Sequence, residues 1–248
     1  MTETTRRERL RAETEREILH QARALLVGGG REAVTLRAIA RELGITAPAL
    51  YRYYDSREDL LQRMCDDICG DLAAELSADL ATMSAQDTIG QVFAVCRGFR
   101  HWALAHPQEF ALVFGSPDLV TTSCADGEAN RATHDPFGRI FLTVAGRVLA
   151  THRIEPPADS AVPRQLHTDL VTFRDSLIAA MAEQGIAIPT DVLSLGTVFF
   201  MLQFWVRLYG HVALEVFGCF PFAVSDPEPL FDSMLADLAA EVGLVSGN

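Results

Sequence analysis

The sequence predicts an all-α protein with a three-helix head near its amino terminus and a larger helical bundle behind it. Apolar residues recur every three or four positions along most of the 248 residues, which is the period of a helix with one buried face. Glycine and proline interrupt these stretches and mark the turns between helices. We therefore assign residues 1–12 to a flexible arm, residues 13–56 to the head and residues 57–248 to the bundle, which is long enough for a substantial core.

The first helix is predicted from Glu13 to Val27, where three glycines, Gly28 to Gly30, end it. The twelve residues before it are charged and lack an apolar stripe, so we expect a flexible arm there. An extension of the first helix is the alternative.

Two short helices joined by a tight turn are predicted between residues 35 and 54. Thr35 precedes a run of apolar residues at helical spacing, so its hydroxyl can cap the first of them. Gly44 ends that helix because glycine adopts the left-handed conformation at little cost. The second helix is predicted over residues 47–54, with Thr46 as its cap. This arrangement is a helix-turn-helix.

The second helix of the helix-turn-helix, over residues 47–54, carries side chains suited to DNA recognition. Its leading end is small, with Thr46, Ala47 and Pro48, so it can approach base edges in a major groove. Hydroxyl groups and a guanidinium that can contact phosphates follow in Tyr51, Arg52, Tyr53 and Tyr54.

The fourth helix of the chain, the first of the bundle, is predicted to begin after Ser56, which caps it, with Asp59 as the partner in a capping box. Arg57 lies in the first turn of this helix, where the positive end of the helix dipole favours an anion. We therefore expect Arg57 to meet a phosphate.

These features resemble the DNA-binding head of the TetR family of bacterial transcriptional regulators. The resemblance covers residues 14–61 and is carried by the run AIARELGITAPALYRYYDSREDLL, preceded by ILHQARALLVGGG. The family often has His or Trp where Tyr53 stands and Phe where Tyr54 stands, but Tyr keeps both a ring and a donor. Together with the residue types above, the resemblance implies DNA contacts by Thr35, Arg37, Thr46, Ala47, Pro48, Tyr51, Arg52, Tyr53 and Arg57.

Charge is distributed unevenly along the chain. Residues 1–60 carry 11 Arg and 10 acidic residues, a net charge of +1, and the remainder carries 10 Arg and 23 acidic residues, a net charge of −13, which together give −12. An acidic bundle is repelled by DNA, so we expect DNA contact to be confined to the head. The arginines of the arm (Arg6, Arg7, Arg9 and Arg11) can add minor-groove or phosphate contacts.

The sequence favours a soluble, cytoplasmic protein that needs no metal or cofactor. Its five Cys are odd in number and scattered, which fits a reducing compartment. Cys65 and Cys69 lie one turn apart, but no His lies nearby to complete a metal site, so small buried hydrophobes are favoured there. The longest apolar run, Val192 to Val206, has 15 residues and is short for a membrane span.

Seven helices are predicted in the bundle, over residues 57–80, 85–106, 108–114, 136–153, 164–184, 191–217 and 227–242. A loop over residues 115–135 and a linker over residues 155–163 separate them. The helix over residues 191–217 is apolar nearly all round, which indicates burial on several sides. We predict that it and the last helix pair with their copies in a four-helix homodimer interface, as the resemblance also implies.

The resemblance further implies a ligand cavity between the helices of the bundle. Such cavities are mostly apolar, so we expect a hydrophobic or aromatic small-molecule effector. The alternative for most aromatic residues is simple packing in the core. The predicted ligand-binding residues are Phe99, Trp102, Phe114, Phe137, Phe141, Phe173, Gln203 and Phe204, and further candidate polar anchors are Arg100, His101, His134, His167 and Arg174.

The function that follows is a homodimeric, sequence-specific regulator of transcription, a repressor released from a palindromic operator by its ligand. An activator remains open, because the difference depends on where the operator lies relative to the promoter. An enzyme on a helical bundle is the rival from another class, and the sequence shows no Gly-rich phosphate loop, Ser/His/Asp order, paired-His helix or metal-ligand spacing to favour it. A ligand-binding or protein-interaction module with a vestigial head is the second rival.

Overall fold

Regular structure in the described part of the chain is helical, which confirms the predicted fold class. The computed structural model describes residues 5–115, 136–183, 185–186, 188–189 and 192–244. The α-helices are α1 (Arg6–Gly29), α2 (Leu36–Glu42), α3 (Ala47–Leu50), α4 (Arg57–Ala81), α5 (Thr88–Ala105), α6 (Pro107–Phe114), α7 (Pro136–Thr151), α8 (His167–Glu183), α9 (Leu195–Val216) and α10 (Glu228–Glu241). Short 3₁₀ turns cover Arg31–Ala33, Asp159–Ala161 and Arg164–Leu166. The predicted loop lies, beyond Gly115, outside the described residues.

The described residues form two compact units. The amino-terminal unit contains residues 5–69 and 106–115, and the second unit contains residues 70–105 and the described residues from 136 onward. The predicted domain boundary lies at residue 57, whereas the boundary between these two units falls within α4. Helix α6 belongs to the amino-terminal unit. Within that unit Arg23 of α1 donates hydrogen bonds to Glu109 of α6 at 2.9 Å and to Asp67 of α4 at 3.1 Å.

The first helix begins earlier than predicted. Residues 6–12, assigned above to a flexible arm, form the first turns of α1, which corrects that assignment in favour of the helix extension. The physical reason is a capping box, in which the Thr5 hydroxyl accepts from the Glu8 N–H and the Glu8 carboxylate accepts from the Thr5 N–H at 2.7 Å. At its other end α1 runs through two glycines to Gly30, whose φ of 71° suits glycine alone.

The head has a continuous apolar core. Its fully buried side chains come from α1, α2, α3 and α4, and each contributes about 1.5–3 kcal/mol relative to an exposed position. They include Ile18, Leu26, Ile39, Leu50, Leu60, Leu61 and Met64. The apolar residues that recur at helical spacing in the head are therefore buried as expected, on the inward face of each helix.

In the second unit, α5 packs against α7 and α9, α8 packs against α7 and α9, and α10 packs against α9. Gly98 permits a close approach of α4 to α5, because a Cβ there would lie 2.5 Å from the Cδ2 atom of Leu76. One apolar cluster joins α7, α8 and α9 through Leu142, Leu177, Met181 and Val198, with Phe173 packed at its margin. The predicted linker contains the 3₁₀ turn Asp159–Ala161, and a further 3₁₀ turn, Arg164–Leu166, replaces the start of the predicted helix, so α8 starts at His167 instead of residue 164.

Helix α9 is longer than the apolar run counted in the sequence. It has 22 residues and a mean hydropathy of 1.2 over its most apolar stretch of 18 residues, so by length and composition it is able to cross a membrane. This corrects the expectation that the run is too short for a span. Helices at the core or at a protein interface meet the same criterion, so the feature by itself is weak evidence for a membrane.

Candidate nucleic-acid interface

The structure forms the predicted helix-turn-helix. Thr35 caps α2, since its hydroxyl accepts a hydrogen bond from the Ala38 N–H at 3.1 Å. Accepting this bond leaves the hydroxyl proton of Thr35 available for a donor role, as a phosphate contact would require. Gly44 has a φ of 64°, the left-handed conformation predicted for the turn.

The second helix is shorter than predicted. The α-helix proper, α3, ends at Leu50 instead of Tyr54, and the Tyr53 N–H bonds to the Leu50 carbonyl three residues back. The main chain forms this shorter, three-residue hydrogen bond where the Tyr54 side chain turns inward and is buried with the head core. Burial raises the pKa of Tyr54 to about 12. The Tyr54 side chain, predicted above to contact phosphates, therefore does not lie on the surface. Thr46 makes no side-chain hydrogen bond at the start of α3, so its predicted capping role is wrong.

The leading end of α3 presents a small, accessible surface. Thr46 and Pro48 are exposed and Ala47 is half-buried. Without bulky side chains, this end can lie close to base edges, which is what direct readout in a major groove needs.

Three further predicted contact residues surround this end with donors. Tyr51 is 56% exposed, and Arg37 and Arg52 are exposed as well. Within the described residues neither arginine forms an ion pair. A neutral hydroxyl and two unpaired guanidinium groups beside a small apolar end can grip a phosphate backbone on both sides of a groove.

Tyr53 is held by a residue that the sequence analysis placed in the arm. The Arg11 guanidinium carbon lies 5.7 Å from the centre of the Tyr53 ring, a cation–π contact. Arg11 also donates to the Glu15 carboxylate at 2.9 Å, and this hydrogen bond raises the pKa of Arg11. The contact exists because the capped first turns of α1 bring Arg11 beside the helix-turn-helix. The i,i+4 spacing of Arg11 and Glu15 is the one sequence signal that predicts part of it.

Arg57 faces the protein backbone. Its Nε–H donates to the Val34 carbonyl at 2.7 Å, and a second guanidinium N–H donates to the Arg31 carbonyl at 2.6 Å. The Glu32 carboxylate lies 3.6 Å away. In this structure the guanidinium predicted to meet a phosphate is engaged with the turn between α1 and α2. At the start of α4, the Ser56 hydroxyl accepts from the Asp59 N–H as predicted, but the Asp59 carboxylate accepts from the Asp55 N–H at 3.1 Å instead of completing the predicted capping box with Ser56.

Three of the predicted ligand-binding residues, Phe99, Phe137 and Phe141, lie together in the second unit. Phe99 and Phe137 lie with ring centres 5.1 Å apart, Phe141 is 5.1 Å from Phe137, and Trp205 of α9 is 6.0 Å from Phe99. Tyr209 stacks on Trp205 at 6.0 Å, and burial raises the pKa of Tyr209. We call these five rings the aromatic cluster. Trp205 and Tyr209 are absent from the predicted set, although their helical spacing of four places them on one face of α9.

Three of the other predicted ligand residues contact other aromatic or apolar side chains. Phe114 belongs to the amino-terminal unit and lies 5.1 Å from Phe110. Phe173 packs against the separate cluster of α7, α8 and α9, and Phe204 pairs with Phe200 at 6.3 Å. Trp102 is buried on α5, and Gln203 is half-buried on α9.

An open cleft of about 250 Å³ in the second unit is lined by residues of α4 and α7. Its lining, Ser77, Leu80, Ala81, Ile140, Thr143 and Arg147, contains none of the predicted ligand residues. Arg147 is also engaged, since it donates to the Gln91 side chain at 2.7 Å. Among the described residues, no group of three His, Cys, Asp or Glu side chains has the geometry to hold a metal ion.

A buried ion pair between Arg100 and Glu215 joins α5 to α9. Arg100 donates two hydrogen bonds to the Glu215 carboxylate, at 2.8 and 2.7 Å, and both side chains are less than a tenth exposed. Donating these hydrogen bonds to the Glu215 carboxylate raises the pKa of Arg100. His211 lies 3.8 Å from the same carboxylate, and its buried Nε2 has no hydrogen-bond partner among the described residues. Burial lowers the pKa of His211, assisted by the charge of Arg100 and opposed by Glu215. The Arg100 guanidinium is therefore engaged with Glu215 in this structure, and its role as a ligand anchor stays a prediction.

Helices α9 and α10 and the turn after α9 expose large apolar side chains. They are Leu202, Val206, Leu214, Phe217, Phe222 and Leu230. Val206 is 59% exposed in the middle of α9, although that helix is the most apolar in the chain. Exposed apolar side chains concentrated in this way mark an interaction surface more often than a solvated face.

Comparisons with known proteins agree with this geometry. The family described as bacterial regulatory proteins, tetR family, matches residues 18–64, and the family described as tetracyclin repressor-like, C-terminal domain, matches residues 92–238. Helix-turn-helix transcriptional regulators of Mycobacterium bovis and Mycobacterium tuberculosis are 30% identical over 231 residues, which cover 93% of this chain and 92% of those proteins.

Two solved structures share the fold. A regulatory protein designated SCO4313 is 27% identical, with a TM-score of 0.61, and the match covers 95% of this chain and all of that one. A protein from Rhodococcus sp. RHA1 has a TM-score of 0.60 at 16% identity, covering 92% of this chain and 94% of that one, which speaks for the fold alone.

Proposed function

Because the chain belongs to the TetR family of bacterial transcriptional regulators, we propose that it is a homodimeric repressor whose heads read the two halves of a palindromic operator. A hydrophobic small molecule bound in the second unit releases the repressor from DNA. Regulators of this family bind DNA as dimers and carry ligand-binding carboxyl-terminal domains, so the proposal concerns the operator, the residues, the effector and the direction of control. As a transcriptional regulator the chain is expected to act in the cytoplasm and to catalyse no reaction.

The accessible, small-sided end of α3, with hydroxyl and guanidinium donors around it, is the observation that carries the proposal. We assign base contacts to Thr46, Ala47 and Pro48, because their side chains leave room for base edges. Phosphate contacts are assigned to Thr35, Arg37, Tyr51, Arg52 and Tyr53, since these residues carry donors and lie before and after the start of α3 in the sequence.

Selection of bound sequences from random duplex DNA tests this assignment. The purified full chain is used without added ligand, and its fold and oligomeric state are verified first. Enrichment of an inverted repeat is the expected result, because a two-fold symmetric dimer reads two half-sites in opposite orientation. Failure of a folded dimer to enrich any sequence would contradict the proposal.

The dimer is proposed to form through α9 and α10. The exposed apolar residues on these helices and the turn between them support it, since a stable interface needs about 800 Å² of well-packed surface on each partner. Val206→Glu places a charge in the middle of this surface and is expected to yield monomers in sedimentation equilibrium. Leu104→Glu is the matched control, because Leu104 is also exposed, on α5. Equal masses for the two variants would contradict the proposed interface.

The effector is proposed to bind against the aromatic cluster. Phe99 and Phe137 are buried, whereas Phe141 and Trp205 are half-buried and offer accessible ring surface. Such surface suits an apolar or aromatic molecule. Screening for compounds that raise the melting temperature tests this, because a ligand that binds the folded state stabilises it. Phe141→Ala is expected to remove the stabilisation by a hit and Phe204→Ala to keep it; the reverse order would place the effector elsewhere.

Repression is tested by transcription in vitro from a promoter that carries the selected inverted repeat. We expect the protein to lower transcript yield and a stabilising compound to restore it, since a ligand that favours the DNA-incompetent state weakens DNA binding. An increase in transcript on adding the protein would identify an activator instead.

A further inference from the structure

Arg57 joins the start of α4 to the connector between α1 and α2, which we define as residues 30–35. Two of its N–H groups reach main-chain carbonyl oxygens there, at 2.7 Å to Val34 and at 2.6 Å to Arg31. Hydrogen bonds from a charged donor are stronger than neutral ones. The planar fork of the guanidinium suits two acceptors at once, whereas an ammonium group presents a single point charge.

The connector determines where α2 begins. The Val34 side chain is fully buried, and the next residue, Thr35, caps α2 through the Ala38 N–H. A carbonyl fixed by Arg57 immediately before the cap therefore fixes the position of the first turn of α2. That turn carries Thr35 and Arg37, which are proposed to contact DNA.

A direct phosphate contact by Arg57 competes with these bonds. The Arg57 side chain is 26% exposed, and the Glu32 carboxylate lies 3.6 Å from its guanidinium, so the charge of Arg57 is partly offset on its exposed side. We infer that Arg57 is a positioning residue, which supports DNA binding by holding the connector and the start of α2, and not by contacting a phosphate itself. This inference rests on the proposed DNA-binding function.

The salt dependence of DNA affinity separates the two roles. Each phosphate contact contributes about −0.9 to the slope of log K against log salt concentration. The experiment measures affinity for the selected inverted repeat between low and moderate salt for the wild type, Arg57→Lys and Arg52→Gln. Arg52→Gln serves as the reference for a lost phosphate contact and is expected to make the slope shallower.

Arg57→Lys keeps the charge and removes the fork. For a positioning residue we expect an affinity about tenfold lower, the loss of one good hydrogen bond, with the slope of the wild type. Wild-type affinity in Arg57→Lys, or a slope as shallow as that of Arg52→Gln, would overturn the inference. A wild type that selects no sequence would contradict the proposed function instead.

Hydrogen exchange tests the inference without DNA. If Arg57 holds the connector, Arg57→Lys exposes the Ala38 amide more often, and its exchange is faster than in the wild type. Amides in the middle of α4 serve as the internal reference for global stability. Unchanged protection of Ala38, with these reference amides also unchanged, would overturn the inference.

Discussion

Replacing Glu215 by Gln tests how much the buried Arg100–Glu215 ion pair contributes to the free energy of unfolding. Arg100 and Glu215 join α5 to α9 with two short hydrogen bonds, and their side chains are 7% and 8% exposed. The Arg100 guanidinium also lies 5.4 Å from the centre of the Phe231 ring. Glutamine keeps the size of the side chain and one acceptor, but it leaves the guanidinium charge without its buried partner.

The chain offers a matched control between neighbouring elements. Arg97 of α5 donates to Asp232 of α10 at 2.9 Å, but these side chains are 46% and 41% exposed. A pair so exposed contributes less than about 1 kcal/mol, because water screens the charges. Breaking a buried pair costs about 3–5 kcal/mol, and the remaining amide oxygen keeps Glu215→Gln near the lower end of that range.

Denaturant unfolding at pH 8 and one fixed protein concentration measures the difference, since a dimer's stability depends on concentration. At this pH His211 is neutral and does not complicate the comparison. We expect Glu215→Gln to lose about 3 kcal/mol, or about 6–12 °C in melting temperature, and Asp232→Asn to lose less than about 1 kcal/mol. Equal losses in the two variants would refute the reasoning that burial makes the Arg100 pair critical.

Three further predictions concern His211 and the DNA-reading end. Because the pKa of His211 is lowered in the folded state, the unfolded chain binds more protons below about pH 6.5. The melting temperature should therefore fall more steeply in the wild type than in His211→Gln as the pH is lowered from about 7 to 5. Equal slopes of melting temperature against pH in the two proteins would contradict this. Tyr51→Phe should weaken binding to all sequences alike in competition assays, since it removes a phosphate donor, and an altered preference at full affinity would count against that role. Substitutions at Ala47 or Pro48 should change base preference by about 1–3 kcal/mol per mismatched pair in repeated selection, and an unchanged preference would remove them from the reading surface.

Local sequence signals predicted the head well because its helices are set by short-range rules. The Thr35 cap and the Gly44 turn occur as expected, since each depends on residues within one turn of the chain. The start of α1 was missed for a different reason. The Thr5–Glu8 capping box is a local signal, but it lies in a charged stretch without an apolar stripe, so periodicity alone favoured an arm.

Roles that depend on tertiary contacts could not be read from spacing. Arg57 bonds carbonyls 23 and 26 residues away, and Arg100 pairs with Glu215 across 115 residues. A helix N-terminus favours an anion in general, which is why a phosphate was the expectation for Arg57. The main chain of the connector occupies the guanidinium instead.

The candidate ligand residues show the same division. Phe99, Phe137 and Phe141 meet, because α5 packs on α7 with these faces inward. Phe173 does not join them, because α8 packs its ring against another cluster. Aromatic residues at helical spacing therefore indicate buried faces, and the choice among those faces depends on how the helices pair.

We propose that the two heads of a symmetric dimer read one operator. Measuring the affinity of the wild type for the selected inverted repeat and for the same duplex with one half-site scrambled, at one salt concentration, tests this proposal. Loss of several base contacts at about 1–3 kcal/mol each predicts an affinity lower by at least about a hundredfold for the scrambled duplex. Equal affinity for the two duplexes would contradict symmetric recognition by the dimer.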